Sequence, residues 1–147
     1  MPIVSQHVRH NYLAIAVAAV ASLLFLAVWY TLFLDVWLKG IGRDRVWMAG
    51  NGVSQVLQYA TALLASGLLA TCISSFIQHT GAQTAVRGMK IAAGLWLGCV
   101  LPIRATETVF EVRSYTLFVL NAGFWLLAML MMGAILGAWK KAGSRNS

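Results

Sequence analysis

The sequence predicts an all-α membrane protein with four transmembrane helices in a compact bundle. Three observations carry this expectation. Of the 147 residues, 60% are hydrophobic and only 10% are charged, where an average soluble domain carries about 25% charged residues. The apolar residues gather into long runs, each near the roughly 20 residues a helix needs to cross a ~30 Å hydrocarbon core. The 11 Lys and Arg residues lie scattered between those runs, where basic residues more often mark membrane orientation than phosphate contacts. Together these exclude an ordinary cytosolic enzyme, a disordered tail, a disulfide-rich secreted module and, in spite of the net charge of +7, a nucleic-acid partner. The chain reads as one integral membrane domain over residues 1–147, with the lipid bilayer as its first partner.

The first span is expected at 12–34. It holds no charge before its end, and Asn11 stands ready as its N-cap. It is read as a retained anchor, because it ends in bulky Trp29-Tyr30 where a signal peptide would end in small residues. The next segment, from Asp35 to Gly52, mixes Trp37, Leu38, Ile41, Val46 and Trp47 with Lys39, Arg43 and Arg45, the composition of a short interfacial helix. The second span, 53–77, is entered through Gly50-Asn51-Gly52. The third is the awkward one. Only 13 residues separate Lys90 from Arg104, about 20 Å as helix. A full span over 86–109 therefore has to run past charged residues and through Pro102, unless the segment re-enters at that proline. The fourth span, 115–139, stops at Lys140 and Lys141.

Four crossings put the N-terminus, the 78–90 loop and the C-terminus on one side with Arg9, Arg87, Lys90, Lys140, Lys141 and Arg145. The other side receives Lys39, Arg43, Arg45, Arg104 and Arg113, together with all four acids, Asp35, Asp44, Glu107 and Glu111. This distribution favours both termini in the cytoplasm of a bacterial cell, with the spans in its cytoplasmic membrane. Trp29, Tyr30, Trp37, Trp47 and Tyr115 then form an outer aromatic belt, with Tyr12 and Trp139 at the inner interface.

Lipid gives helices no hydrophobic reason to associate, so small residues mark close packing. Ala14, Ala18 and Ser22 recur at steps of four in span one. Gly94 and Gly98 form one G-x-x-x-G pair, and Gly133 and Gly137 another. Such pairs close a bundle within a chain or join two chains.

Ionisable residues near a span are costly and mark function by default. Arg104, Glu107 and Glu111 fall at i, i+3 and i+7, one helical face if span three continues past Pro102. Arg113 follows, and Asn121 lies about two turns inside span four. With Asp35, Gln55, Gln58 and Tyr59 these residues outline a polar vestibule for a small ligand or ion. The competing reading is an interfacial salt-bridge network that fixes loop and helix ends. His7 and His10 have the spacing of a metal pair, but no carboxylate accompanies them. Cys72 and Cys99 lie at different depths and read as unpaired apolar fillers. No cofactor, metal ligand or catalytic motif is expected.

Several segments carry a family resemblance: Trp29-Tyr30 followed by Leu32-Phe33, then Phe110-Glu111-Val112-Arg113, then Leu117-Phe118-Val119-Leu120-Asn121-Ala122-Gly123, and finally Met132-Gly133-Ala134-Ile135-Leu136-Gly137-Ala138-Trp139. The chain resembles the domain of unknown function 1761 family, small membrane proteins of bacteria and fungi. The resemblance spans nearly the whole chain and is strongest in its last third. It implies a compact four-span protein and points to Trp29, Tyr30, Glu111, Arg113 and Asn121 as pattern positions. It brings no activity, substrate or catalytic residue with it.

The leading functional expectation is a non-enzymatic helix-bundle protein acting as a homodimer or as an accessory subunit of another membrane protein. The alternative is a small transporter or channel whose vestibule uses Glu107, Glu111 and Asn121. Further off stands an intramembrane enzyme acting on a lipid or quinone, with Glu107 or Glu111 as its acid or base.

Overall fold

The computed structural model describes residues 11–51, 54–81 and 83–139. His7, His10, Arg9 and the basic residues from Lys140 onward lie outside these residues, as do Gly52 and Val53. In chain order the helices are α1 (Tyr12–Leu32), α2 (Leu34–Gly40), α3 (Arg45–Asn51), α4 (Gln55–His79), α5 (Ala85–Leu95), α6 (Leu101–Phe110) and α7 (Tyr115–Ala138), with a π-helical turn at Trp96–Val100 between α5 and α6. Among the described residues four helical stretches are long and apolar enough to cross a membrane: α1, α4, the continuous helix Ala85–Phe110, and α7. They pack together, and the protein is an integral membrane protein.

Local sequence explains the helix boundaries. The Asn11 side chain accepts from the Ala14 amide at 3.3 Å, and Thr84 and Ser114 cap α5 and α7 in the same manner. Each cap satisfies a donor the first turn leaves free. The first span ends two residues earlier than expected. Phe33 turns out of helical geometry, and the chain re-forms as α2 at Leu34. Phe33 packs back on Trp29 in a tilted contact, with ring centroids 4.8 Å apart. Gly50 and Asn51, expected as a turn into the second span, instead finish α3.

The third candidate span is one continuous helix, long and apolar enough to cross a membrane. Ala85–Phe110 is 26 residues long, about 39 Å of helix, which exceeds the ~30 Å core. Pro102 has no amide hydrogen to donate, and its ring crowds the preceding turn of a straight α-helix. The chain widens just before it: the Leu101 amide bonds Trp96 O, five residues back. A π turn of this kind bends a helix without ending it.

α7 is the centre of the bundle. It touches α1, α4, α5 and α6, and α2 packs on its first turns. Two zones fill the interior. Ala14, Ile15, Ala18, Ala70, Ile73, Ile77, Ala92, Met129, Met132 and Leu136 make a close-packed zone toward the end that carries Tyr12, His79 and Ala138. Within it α1 and α4 approach closely enough for the buried Ser66 hydroxyl to donate to Ser22 at 3.1 Å. Nearer the α2–α3 end the filling is aromatic. Phe124 stacks on Phe25 at 5.5 Å and meets Trp29, Tyr30 and Trp125. The belt expected of Trp29 and Tyr30 is thus corrected: both rings turn inward to Phe124, because α7 offers them a partner there.

The glycines divide in the same way. α5 and α7 meet backbone to backbone. A Cβ on Gly88 would strike the Gly133 carbonyl, one on Gly133 would strike the Gly88 carbonyl, and one on Gly137 would strike the Thr84 carbonyl. Gly94 and Gly98 sit on the same helix but face open space. Among the described residues nothing lies within 4 Å of either Cβ position, because the face of α5 turned to α7 carries Gly88 and Ala92. Cys72 and Cys99 are free and exposed, so the filler role expected of them is corrected as well.

Candidate functional site

Beyond the aromatic zone, at the α2–α3 end, α6 and α7 diverge around a cavity of about 220 Å³. It is lined by charged Arg104, Glu107, Glu111 and Arg113, with Thr108, Leu117, Phe118 and Asn121. Two features open it. The π turn and Pro102 carry α6 away from the glycine contact, and a sharp turn after α6 returns the chain to α7.

That turn is a Schellman motif. The Arg113 amide bonds Thr108 O at 3.0 Å, and the Val112 amide bonds Val109 O at 3.4 Å. Val112 occupies its left-handed position with φ +52°, where glycine is usual and a β-branched residue is strained. The loop between α2 and α3 uses the same bond pattern with Gly42 at φ +69°. The strain at Val112 sits between the two charged residues of the turn, Glu111 and Arg113.

The charges pair locally. Arg104 Nη1 donates to Glu107 Oε2 at 2.9 Å, one turn apart on α6, and Arg113 pairs with Glu111 across the turn. All four side chains remain between a third and a half exposed. Such partly solvated pairs hold geometry more than they add stability. The net formal charge of the lining is zero. Deeper in, the Tyr30 hydroxyl donates to Asn121 Oδ1 at 2.8 Å. That leaves the Asn121 amide donors for other use. Tyr30 is itself fixed by an edge contact to Trp37 of α2, centroids 6.1 Å apart.

The residues singled out in the sequence therefore divide. Arg104, Glu107, Glu111, Arg113 and Asn121 meet at one cavity. Tyr30 joins them through Asn121, and Trp29 lies behind in the aromatic stack. The other residues expected at the vestibule are corrected. Asp35 accepts from Arg45 Nε at 2.8 Å and from Nη2 at 3.0 Å. Gln55, Gln58 and Tyr59 do not line the cavity, because α4 packs on α1 and α7 and not beside α6. Among the described residues no cluster of three His, Cys, Asp or Glu side chains is placed to hold a metal ion.

Sequence reasoning missed Thr108, Leu117 and Phe118 in the lining, and Gly88 at the helix crossing. Gly88 and Ala92 form a small-x-x-x-small pair that a search for glycine pairs alone passes over. The Trp96 indole, which donates to Ala122 O at 3.0 Å, also gives no signal in the sequence.

The chain matches the model of a family described as Protein of unknown function (DUF1761) over residues 13–137. It belongs to that family. No curated protein and no solved structure matches it. Four of the five DUF1761 pattern positions named above pair with each other in space, Tyr30 with Asn121 and Glu111 with Arg113.

Proposed function

We propose that the protein is a non-enzymatic integral membrane protein whose α6–α7 cavity binds a small polar ligand. The observation that carries this reading is the convergence of Arg104, Glu107, Glu111, Arg113 and Asn121 on one space of about 220 Å³. Two guanidiniums, two carboxylates and a free amide suit a molecule that carries both charge signs, such as an amino acid. The lining holds no histidine, cysteine or serine, and both carboxylates are tied to guanidiniums, which favours binding over acid–base catalysis. At the opposite end α5 and α7 touch through backbone, which favours a one-sided site over an open pore. We place both termini in the cytoplasm of a bacterial cell and the cavity on the outer face, on the distribution of the acids and bases along the chain.

The test is a thermal-unfolding screen of the purified protein against the amino acids, because a ligand that binds only the folded state raises the midpoint. At least one should raise the wild-type midpoint saturably, and Glu111→Gln should remove the effect while leaving the unliganded midpoint in place. A flat response across the panel, or a shift that survives Glu111→Gln, argues against the reading.

One observation supports a second reading, that two copies pair in the membrane. Gly94 and Gly98 lie exposed, with open space at both Cβ positions, and small residues spaced by four are what close helix contacts between chains use. Crosslinking in native membranes should capture a dimer that Gly94→Leu abolishes. A chain that stays monomeric and partnerless removes this reading.

A further inference from the structure

The α2–α3 segment carries a second polar site, separate from the cavity. A shallow groove of about 460 Å³ is lined by Lys39, Gly42, Arg43, Asp44 and Trp47. The segment's charges are unevenly used. Asp35 is taken by Arg45. Asp44 turns back to accept from the Trp47 amide at 2.7 Å, capping its own helix. Among the described residues Lys39 and Arg43 form no salt bridge, and Lys39 acts on Asp35 only through its charge. The Arg43 guanidinium lies over the Trp47 ring, 4.7 Å from its centroid, which holds it in place without neutralising it. Gly42, in the left-handed turn, puts no side chain into the groove.

The segment is also held at a definite depth. α1 has 21 residues, about 31 Å of helix, so its end at Leu32 reaches the edge of a ~30 Å core. α2 then folds back onto the first turns of α7. Leu38 is 2% exposed against it and Leu117 1% exposed, and a Cβ on Gly40 would lie 2.9 Å from Leu117 Cβ. Lys39 and Arg43 are thus held beside the bilayer surface and not lifted away on a free loop. On α3, Val46 is 79% exposed, an apolar neighbour that belongs against acyl chain.

We propose that the Lys39–Arg43–Trp47 groove binds the phosphate of an anionic phospholipid headgroup. Lys39 and Arg43, neither held in a salt bridge, meet the phosphate, the Asp44 carboxylate being engaged by the Trp47 amide. Trp47 sits at headgroup level as interfacial tryptophans do, and Val46 rests against the lipid tail. A lipid is favoured over free phosphate by the depth of the groove and by this apolar neighbour. The site does not depend on the α6–α7 cavity having a ligand.

Native mass spectrometry of the detergent-purified chain, offered equal phosphatidylglycerol and phosphatidylcholine at low salt, tests this directly. Wild type should retain phosphatidylglycerol preferentially. Each cation near the surface is worth about fivefold in affinity, so Lys39→Ala with Arg43→Ala should reduce retention by roughly 25-fold. Arg43→Lys should keep most of it. Arg87→Ala with Lys90→Ala, at the opposite end of the bundle, should change nothing, and an unchanged thermal midpoint confirms that each variant is folded. The proposal fails if wild type shows no preference, if the Lys39 and Arg43 changes leave it intact, if the Arg87 and Lys90 changes reduce it equally, or if inorganic phosphate alone displaces the lipid.

Discussion

Over its length the helix Ala85–Phe110 meets α7 in two ways. Along α5 the two backbones touch, with Gly88 and Ala92 set against Gly133 and Gly137. Along α6 they part, and the gap is lined by Arg104, Glu107 and Asn121. Both halves belong to one continuous helix facing one partner. The difference comes from what stands between them, the π turn at Trp96–Val100 and Pro102. In a bilayer close packing needs small residues and charged residues need an exit to water. This span meets the two needs at opposite ends and bends between them.

The largest expected effect breaks the closed half. Gly88→Leu places a side chain where the Gly133 carbonyl sits, and should cost about 3 kcal/mol or more, read as a lost thermal midpoint or lost folded yield. Gly94→Leu on the same helix meets open space and should stay within about 0.5 kcal/mol. Equal damage from both would erase the distinction between the two faces. At the open half, Tyr30→Phe removes the bond to Asn121 and should cost about 1 kcal/mol. A double-mutant cycle with Asn121→Leu should then show that the two residues are coupled.

Val112→Gly should act in the other direction. Relief of the left-handed valine should stabilise the fold by about 1 kcal/mol, visible as a raised midpoint. A lowered midpoint would mean the Val112 side chain does more than bear strain. The smallest effect concerns the α2–α3 loop. The hydrogen bonds from Arg45 hold the Asp35 carboxyl below the usual carboxylate range, with the Arg45 and Lys39 charges adding to the effect. A depressed folded value stabilises the loop fully above about pH 4. That contribution is lost as pH falls through the depressed value. Limited proteolysis of the loop should therefore speed up only in acid, and Asp35→Asn should remove the pH dependence.

The spans were legible because period, length and charge all act locally. Asn11 before a long apolar run is a helix start in any context, and Ala14, Ala18 and Ser22 share a face by spacing alone. The Arg104–Glu107 pair was legible for the same reason, being one turn apart. What stayed hidden depends on which face of a helix meets which neighbour. Gly94 and Gly98 have the same spacing as Gly133 and Gly137, and nothing local says that only the latter pair faces a backbone. Asp35 looked like a vestibule residue because it shares an end of the bundle with Glu107. Its partner, Arg45, is chosen by how α2 and α3 fold back. The Tyr30–Asn121 bond joins residues 91 positions apart, a contact that follows from helix order and not from any motif.

The α6–α7 half stands open to water while the α5–α7 half is sealed. Thiol accessibility tests it most directly. With Cys72 and Cys99 replaced by serine, Asn121→Cys and Ala92→Cys variants are exposed to a membrane-impermeant maleimide in vesicles of both orientations. Asn121→Cys should be labelled from one side only, and Ala92→Cys from neither. Asn121→Cys left unreacted from both sides, or Ala92→Cys labelled as readily, would contradict it.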